Sequence, residues 1–169
     1  REGRGVSKNY QEALKWFRLS AEQKSPLGQN NLGSMYDEGL GVPQDYNAAI
    51  KWYRLSAEQG SYSGQNSLGY MYEYGHGVPQ DHKEAVKWYR LSADQGKATA
   101  QTNLGMMYDD GKGVPQDYKE AVKWFRLSAE QGYAKAQYNL GSMYYNGQEV
   151  SRDYIEALKW FRLAAEQGF

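Results

Sequence analysis

The chain has 169 residues, of which 40% are hydrophobic and 24% charged, and its 20 basic and 20 acidic side chains balance to a net charge of zero. This balance gives no electrostatic reason to expect a nucleic acid or an anionic membrane as partner. Disulfides and thiolate metal sites are excluded because the chain has no cysteine. The chain contains no run of about 18 apolar residues, so we predict no insertion into a membrane.

Tryptophan recurs at a constant interval along the whole chain. The five tryptophans, each 36 residues after the last, are Trp16, Trp52, Trp88, Trp124 and Trp160. Leucine and glycine recur with the same spacing, as at Leu32 and Leu68 or Gly60 and Gly96. A fixed period of this length predicts a repeat architecture.

The repeats divide the chain into one partial unit and four full ones. Residues 1–24 form the partial unit, and the full units span 25–60, 61–96, 97–132 and 133–169. Because the chain begins at Arg1, partway through a repeat, we expect it to be a fragment or mature product of a longer protein.

Each full unit begins with a predicted helix, here called helix A. In the unit that spans 61–96, small and apolar residues lie at helical spacing between Gly64 and Glu73, among them Leu68 and Met71. Gly75 is suited to end the helix, and the turn GHGVPQ follows it.

A second helix, here called helix B, follows the turn. Asp81 and Glu84 have the spacing of a capping box, and Gly96 closes the unit. One hairpin buries too little surface to be stable alone, so neighbouring hairpins must complete a shared core. We expect Trp88 and its equivalents to fill the gaps between hairpins, and small residues such as Gly69 to allow close helix approach.

These motifs resemble those of the Sel1-like repeat family, a relative of the tetratricopeptide repeats. The resemblance rests on AQYNLGSMY in helix A, on G-x-GV-x-x-D in the turn and on EAVKWFRLSAEQG in helix B. It covers the whole chain, with departures at Ser7, Lys24 and Gln148-Glu149.

The resemblance implies an all-α fold, a right-handed α/α superhelical solenoid of 36-residue hairpins that forms one domain over residues 1–169. It also implies an adaptor or scaffold that binds a protein or peptide, with helix A on the concave side. Family members are often bacterial envelope or secreted proteins, which favours a periplasmic or secreted location. A branch with disulfide-linked repeats has been linked to β-lactam binding, and the lack of cysteine argues against membership in that branch.

Five positions of helix A differ from copy to copy, whereas the others recur. They lie at offsets 0, 3, 7, 10 and 11, which places them on one face of the helix. A variable face repeated along a solenoid is what a binding surface would look like. The candidate partner-binding residues are Asn30, Ser34, Glu38, Asn66, Tyr70, Tyr74, Thr102, Met106, Asp110, Tyr138, Ser142 and Tyr145.

Acidic residues in the last turn of helix A, such as Glu38 and Asp110, oppose the helix dipole. They either form a strip that meets a basic partner segment, or they are solvated or paired with residues such as Lys112. A catalytic carboxylate pair is disfavoured because the acids recur with the repeat instead of clustering once, and because adjacent side chains such as Asp109 and Asp110 diverge on a helix.

The two histidines do not have the spacing of a metal site. His82 occupies a tyrosine position and is expected to pack, whereas His76 occupies a turn position expected to be exposed and free of constraint. We therefore predict no catalytic residue, no metal and no cofactor.

A leucine of helix B recurs beside its charged face. The five positions are Leu19, Leu55, Leu91, Leu127 and Leu163. Packing against the next turn is the favoured interpretation, with a second contact surface as the alternative.

The favoured function is a protein-binding adaptor or scaffold, with possible end-to-end self-association through the terminal repeats. One alternative is a dedicated inhibitor, such as an immunity protein that neutralises a secreted effector or toxin. A less favoured alternative is an enzyme-like protein that binds peptidoglycan or a β-lactam, which would need a closed pocket with converging polar groups.

Overall fold

A computed structural model describes residues 9–169 of the chain, and these residues form nine helices and no strand. The helices are α1 Tyr10–Glu22, α2 Pro26–Glu38, α3 Tyr46–Glu58, α4 Tyr62–Tyr74, α5 His82–Asp94, α6 Ala98–Asp110, α7 Tyr118–Glu130, α8 Ala134–Asn146 and α9 Tyr154–Ala165. Helix A of each full unit is α2, α4, α6 or α8, and the others are copies of helix B. The departure at Ser7 and the first part of the partial unit lie outside the described residues.

The helices form two compact units. The first ends at Gln80 and contains α1 to α4, and the second, Asp81–Phe169, contains α5 to α9. Within each unit, every helix packs against the next one along the chain. The predicted all-α hairpin packing is therefore confirmed, and a single domain over the whole chain stays a prediction.

The predicted helix boundaries follow from their capping residues. Asp81 accepts hydrogen bonds from the backbone N–H groups of Lys83 and Glu84, which begins α5. Gly75 ends α4 in the left-handed conformation, with a φ of 71°. Lys24, one of the departures from the repeat, follows α1 at the position that Gly60 and Gly96 occupy after later copies of helix B, and it has a left-handed φ of 61° without being glycine.

Close helix packing depends on glycines inside helix A. A Cβ atom on Gly33 would lie 2.7 Å from the ring of Tyr53, and one on Gly105 would lie 2.6 Å from the ring of Phe125. Both aromatic rings are buried. Helix A therefore approaches the following helix B closely only because these positions have no side chain.

Tryptophan packing differs along the chain. Trp52 packs against a buried cluster that includes Leu14, and Trp160 packs against a cluster that includes Phe125. Trp16 is 56% exposed. The expectation that tryptophans fill gaps between hairpins is confirmed for Trp52 and Trp160 and is wrong for Trp16.

Polar ladders that the sequence reasoning missed join successive repeats. Arg54 donates to the hydroxyl of Tyr72, 3.1 Å away, and Arg126 donates to the hydroxyl of Tyr144 at 2.8 Å. Arg90 pairs with Tyr108 in the same way. Each pair joins a helix B to the next helix A, so these recurrent residues have a structural role.

Candidate interaction surface

Most of the predicted contact residues lie at the surface of their helix. Among the larger side chains, Tyr70 is 40%, Tyr74 51%, Tyr138 47% and Tyr145 56% exposed. The other exposed members are Glu38 and Asp110, and the half-buried members are Asn30, Ser34, Asn66, Met106 and Ser142. We call this set, without Thr102, the helix A face.

Thr102 does not belong to that surface. It is fully buried, and its hydroxyl lies 2.8 Å from Ser128 Oγ and 3.1 Å from the carbonyl oxygen of Ala98. The predicted role of Thr102 in partner binding is therefore wrong. Its short side chain reaches the hydroxyl of the neighbouring helix, whereas the equivalent Tyr138 extends into solvent.

Four rings gather at the end of α4 in the first unit, and we call them the tyrosine–histidine cluster: Tyr46, Tyr70, Tyr74 and His76. The imidazole of His76 stacks on Tyr46 with ring centroids 4.5 Å apart and an interplanar angle of 15°. It also lies 5.7 Å from Tyr70 and 6.0 Å from Tyr74. The expectation that His76 is exposed and free of constraint is wrong, because the turn places it between these tyrosines.

Carboxylates border the same cluster. Asp37 Oδ2 accepts a hydrogen bond from the hydroxyl of Tyr53 at 3.2 Å, and Glu38 accepts one from Ser34 at 2.7 Å. Burial raises the pKa of Asp37 above its ordinary value, against the opposing effects of the Tyr53 hydrogen bond and the nearby His76. Burial also raises the pKa of Tyr53, and the charge of Asp37 adds to that effect. Asp37 is thus a partly desolvated carboxylate beside aromatic rings.

The equivalent acids of the second unit have different neighbours. Lys112 pairs with Asp110 at 2.7 Å, and both side chains are 49% exposed. The predicted pairing of an acid with Lys112 is therefore confirmed. Burial, followed by the charge of Asp110, raises the pKa of Asp109. Phe125 occupies the position equivalent to Tyr53 and has no hydroxyl to donate.

Aromatic residues of the last repeat form two separate groups. Tyr138 lies 5.3 Å from Phe161 and 5.5 Å from Phe169, measured between ring centroids. Tyr145 meets Tyr154 edge to face at 5.5 Å. Sequence reasoning missed Phe169 and Tyr46, since their ring partners Tyr138 and His76 come from distant parts of the chain. It also missed Tyr154, which meets Tyr145 across the turn between α8 and α9.

Met106 is less available than the tyrosines. Its side chain packs against the buried cluster that contains Phe125, and the residue is half-buried. Its exposed portion can contribute to a contact surface, but part of its side chain stabilises the core.

The leucines of helix B keep a substantial part of their surface in solvent. Leu19, Leu55, Leu91, Leu127 and Leu163 are 46%, 37%, 43%, 41% and 37% exposed. Packing against the next turn therefore covers only part of each leucine. A shallow groove runs beside Leu127, lined by Val122, Lys123 and Arg126 among others, and it is a second candidate surface.

Within residues 9–169, no group of three or more His, Asp or Glu side chains is placed to hold a metal ion. Asp109 and Asp110 are adjacent on α6, and only the second of them pairs with Lys112. The predicted role of His82 in packing agrees with its half-buried side chain. None of the helices in this part of the chain is both long and apolar enough to cross a bilayer.

Comparison with known proteins identifies the same repeat in every part of the chain. The Sel1 repeat model matches residues 1–25, 26–61, 63–97, 98–133 and 134–169. No curated protein sequence matches the chain.

Two solved structures are similar in both sequence and fold. One is a protective antigen present in uropathogenic Escherichia coli strains that displays the SLR fold; it is 44% identical, with a TM-score of 0.87 over 92% of this chain and 33% of the antigen. The other is a Sel1 repeat protein from Oxalobacter formigenes, 39% identical, with a TM-score of 0.90 over 98% of this chain and 67% of that protein. The chain therefore spans one third of the antigen and about two thirds of the second protein.

An immunity protein from Pseudomonas aeruginosa is more distant, at 24% identity and a TM-score of 0.69 over 96% of this chain and 60% of that protein. This likeness shows the fold alone. The helical hairpins, the recurrent packing residues and the match of all five repeats together show that the chain belongs to the Sel1 repeat family.

Proposed function

We propose that this chain is a non-catalytic adaptor that binds a protein or peptide partner on the helix A face. Sel1 repeat proteins mediate protein–protein interactions and are generally non-catalytic scaffold modules. The observation that carries the proposal is that Tyr70, Tyr74, Tyr138 and Tyr145 keep 40–56% of their surface in solvent on the variable face. Tyrosine is enriched where proteins bind each other, because it combines a large apolar ring with a hydrogen-bonding group.

Packing does not explain the exposed tyrosines. Leu68 and Leu140, which recur on the same helices, are fully buried, whereas Tyr70 and Tyr138 are not. Leaving large aromatic rings in water costs free energy that burial against a partner would recover. The helix A face therefore has the character of a contact surface that is incomplete without its partner.

A dedicated inhibitor would bind its single target through the same surface. Likeness to immunity proteins extends only to the fold, so no separate observation favours this alternative. It differs in its prediction, which is one high-affinity partner instead of several weaker ones.

The proposal is tested by selecting binding peptides from a displayed random library and measuring their affinity for purified variants. One variant combines Tyr70→Ala, Met106→Ala and Tyr138→Ala. The matched control combines Leu55→Ala, Leu91→Ala and Leu127→Ala, which are similarly exposed residues of helix B. We expect the first variant to bind at least about tenfold more weakly than the wild type, as truncation of aromatic contact residues usually does.

The control should bind the selected peptides as the wild type does. Equal affinity of all three proteins, with helicity unchanged, would show that the helix A face does not bind the selected peptides. Loss of affinity in the control alone would place the site at the helix B groove.

End-to-end association through the terminal repeats remains a second proposal. Ile155 is 83% and Leu158 68% exposed on α9, whereas Val122, the equivalent of Leu158 on α7, is 7% exposed. Such a face is suited to another repeat surface. Sedimentation should show a concentration-dependent dimer that Leu158→Glu abolishes, and a monomer at all concentrations would contradict it.

A further inference from the structure

The charge distribution of the first unit is uneven. Segments 25–45 and 61–80, which contain α2, α4 and the turns after them, include Asp37, Glu38, Asp45 and Glu73 but no lysine or arginine. The equivalent segments of the second unit, 97–117 and 133–152, balance four acids with four basic residues, which are Lys97, Lys112, Lys135 and Arg152. The helix A side of the first unit is thus acidic and supplies no lysine or arginine of its own to balance that charge.

The tyrosine–histidine cluster lies within this acidic region. Tyr70 and Tyr74 are one helical turn apart, with ring centroids at 4.5 Å and planes inclined by 41°. Tyr70 is 40% and Tyr74 51% exposed, whereas Tyr46 and His76 are half-buried. His76 Nδ1 is shielded from solvent and has no hydrogen-bond partner among the described residues. The two tyrosines therefore present ring surface to solvent beside the stacked pair of Tyr46 and His76.

Electrostatic coupling links the rings to the carboxylates. The charges of Asp37 and Glu73 act on the hydroxyl of Tyr70, and Asp37 lies close enough to His76 for the two groups to interact. A cation held over the tyrosine faces would therefore be attracted by the nearby carboxylate of Asp37. Cation–π attraction acts within about 6 Å of a ring centroid and strengthens where water is excluded.

We propose that the tyrosine–histidine cluster, with Asp37 and its neighbour in sequence Glu38, binds an arginine of a basic segment in the protein partner. The guanidinium stacks on Tyr70 and Tyr74 and directs its N–H donors to the carboxylates. Arginine fits better than lysine, because its planar group stacks on aromatic faces and is more weakly hydrated than an ammonium group. This inference rests on the proposed function and deepens it by naming the chemistry of the partner.

Titration followed by NMR tests the inference directly. The probe is the capped peptide Gly-Arg-Gly-Arg-Gly, compared with a peptide in which citrulline replaces both arginines. Citrulline keeps the planar shape and removes the charge. We expect saturable shifts of the Tyr70, Tyr74 and His76 resonances with the arginine peptide up to about 5 mM, a range that covers dissociation constants near 1 mM.

Variants separate the cluster from other aromatic surfaces. Combining Tyr70→Ala with Tyr74→Ala should weaken binding at least about fivefold, and Glu38→Gln about twofold at low salt. Tyr62→Ala, which removes a ring of similar exposure on α4 outside the helix A face, should leave the affinity unchanged. These positions are exposed, so the variants should fold, and unchanged helicity verifies this.

Equal shifts with the citrulline peptide, or no shifts at the cluster, would overturn the inference. The proposed function fails separately, when the library selection returns no peptide whose binding depends on the helix A face. Selected peptides that depend on Tyr138 but not on Tyr70, and that lack arginine, would contradict the arginine site and leave the proposed function standing.

Discussion

The two compact units share their packing residues and differ in the charge on helix A. In the first unit, the last turns of α2 and α4 contain acids with no basic residue in the same helix, and aromatic rings lie beside them. In the second unit, Lys112 pairs with Asp110 at the end of α6. The last turn of α8, which contains Tyr145, has no acid. The recurrent packing residues therefore determine the hairpin, while the residues of the helix A face differ from one repeat to the next.

Truncation of the buried ring beneath helix A has the largest expected effect and should affect both units alike. Tyr53→Ala and Phe125→Ala each remove a ring that is at most 3% exposed. We expect each to lower the free energy of unfolding by about 3–5 kcal/mol, as for other buried aromatic residues. Urea unfolding measures this loss, and a much smaller loss in one unit would show that the two cores are not equivalent.

Exchange of the hydroxyl at the same position tests a difference between the units. Tyr53→Phe removes the donor to Asp37, and we expect a loss of about 1 kcal/mol. Phe125→Tyr places a hydroxyl in the corresponding position beside Asp109, and it should raise the free energy of unfolding by part of that amount. If Tyr53→Phe has no effect on stability, the hydrogen bond to Asp37 contributes nothing.

The hairpins themselves follow from the sequence, because their determinants are local. Asp81 begins its helix and Gly75 ends the preceding one through hydrogen bonds within a few residues. The surface is less predictable. His76 meets Tyr46 across 30 residues of sequence, and Thr102 is buried because Ser128 approaches it from another helix. Variation between repeats predicted a face whose members, except Thr102, are exposed or half-buried, but it did not show which of its residues the neighbouring helix covers.

A further prediction concerns the pH dependence of the second unit. Burial raises the pKa of Asp109, so the folded chain binds more protons than the unfolded chain between the ordinary and the raised pKa. The contribution of Asp109 to stability therefore falls as the pH rises through that window and stays lower above it. Asp109→Asn should raise the free energy of unfolding by no more than about 0.5 kcal/mol at pH 7, because the group is partly exposed. The gain should vanish in acid, and an equal gain at both pH values would contradict this cause.

Loss of the exposed ion pair has the smallest expected effect on stability. Lys112→Ala should change the free energy of unfolding by about 0.5 kcal/mol or less, since both partners are 49% exposed. The same change leaves Asp110 without this cation and should produce a weak NMR response of α6 to the arginine peptide, which the wild type lacks. An unchanged NMR response of α6 would show that charge pairing does not account for the difference between the units.

The location of partner binding on the chain tests the central claim most directly. Amide hydrogen exchange, with and without a peptide selected for binding, reports which helices the peptide protects. We predict increased protection within α4, α6 or α8, around Tyr70, Met106 and Tyr138. Protection confined to helix B, around Leu91 and Leu127, would contradict it.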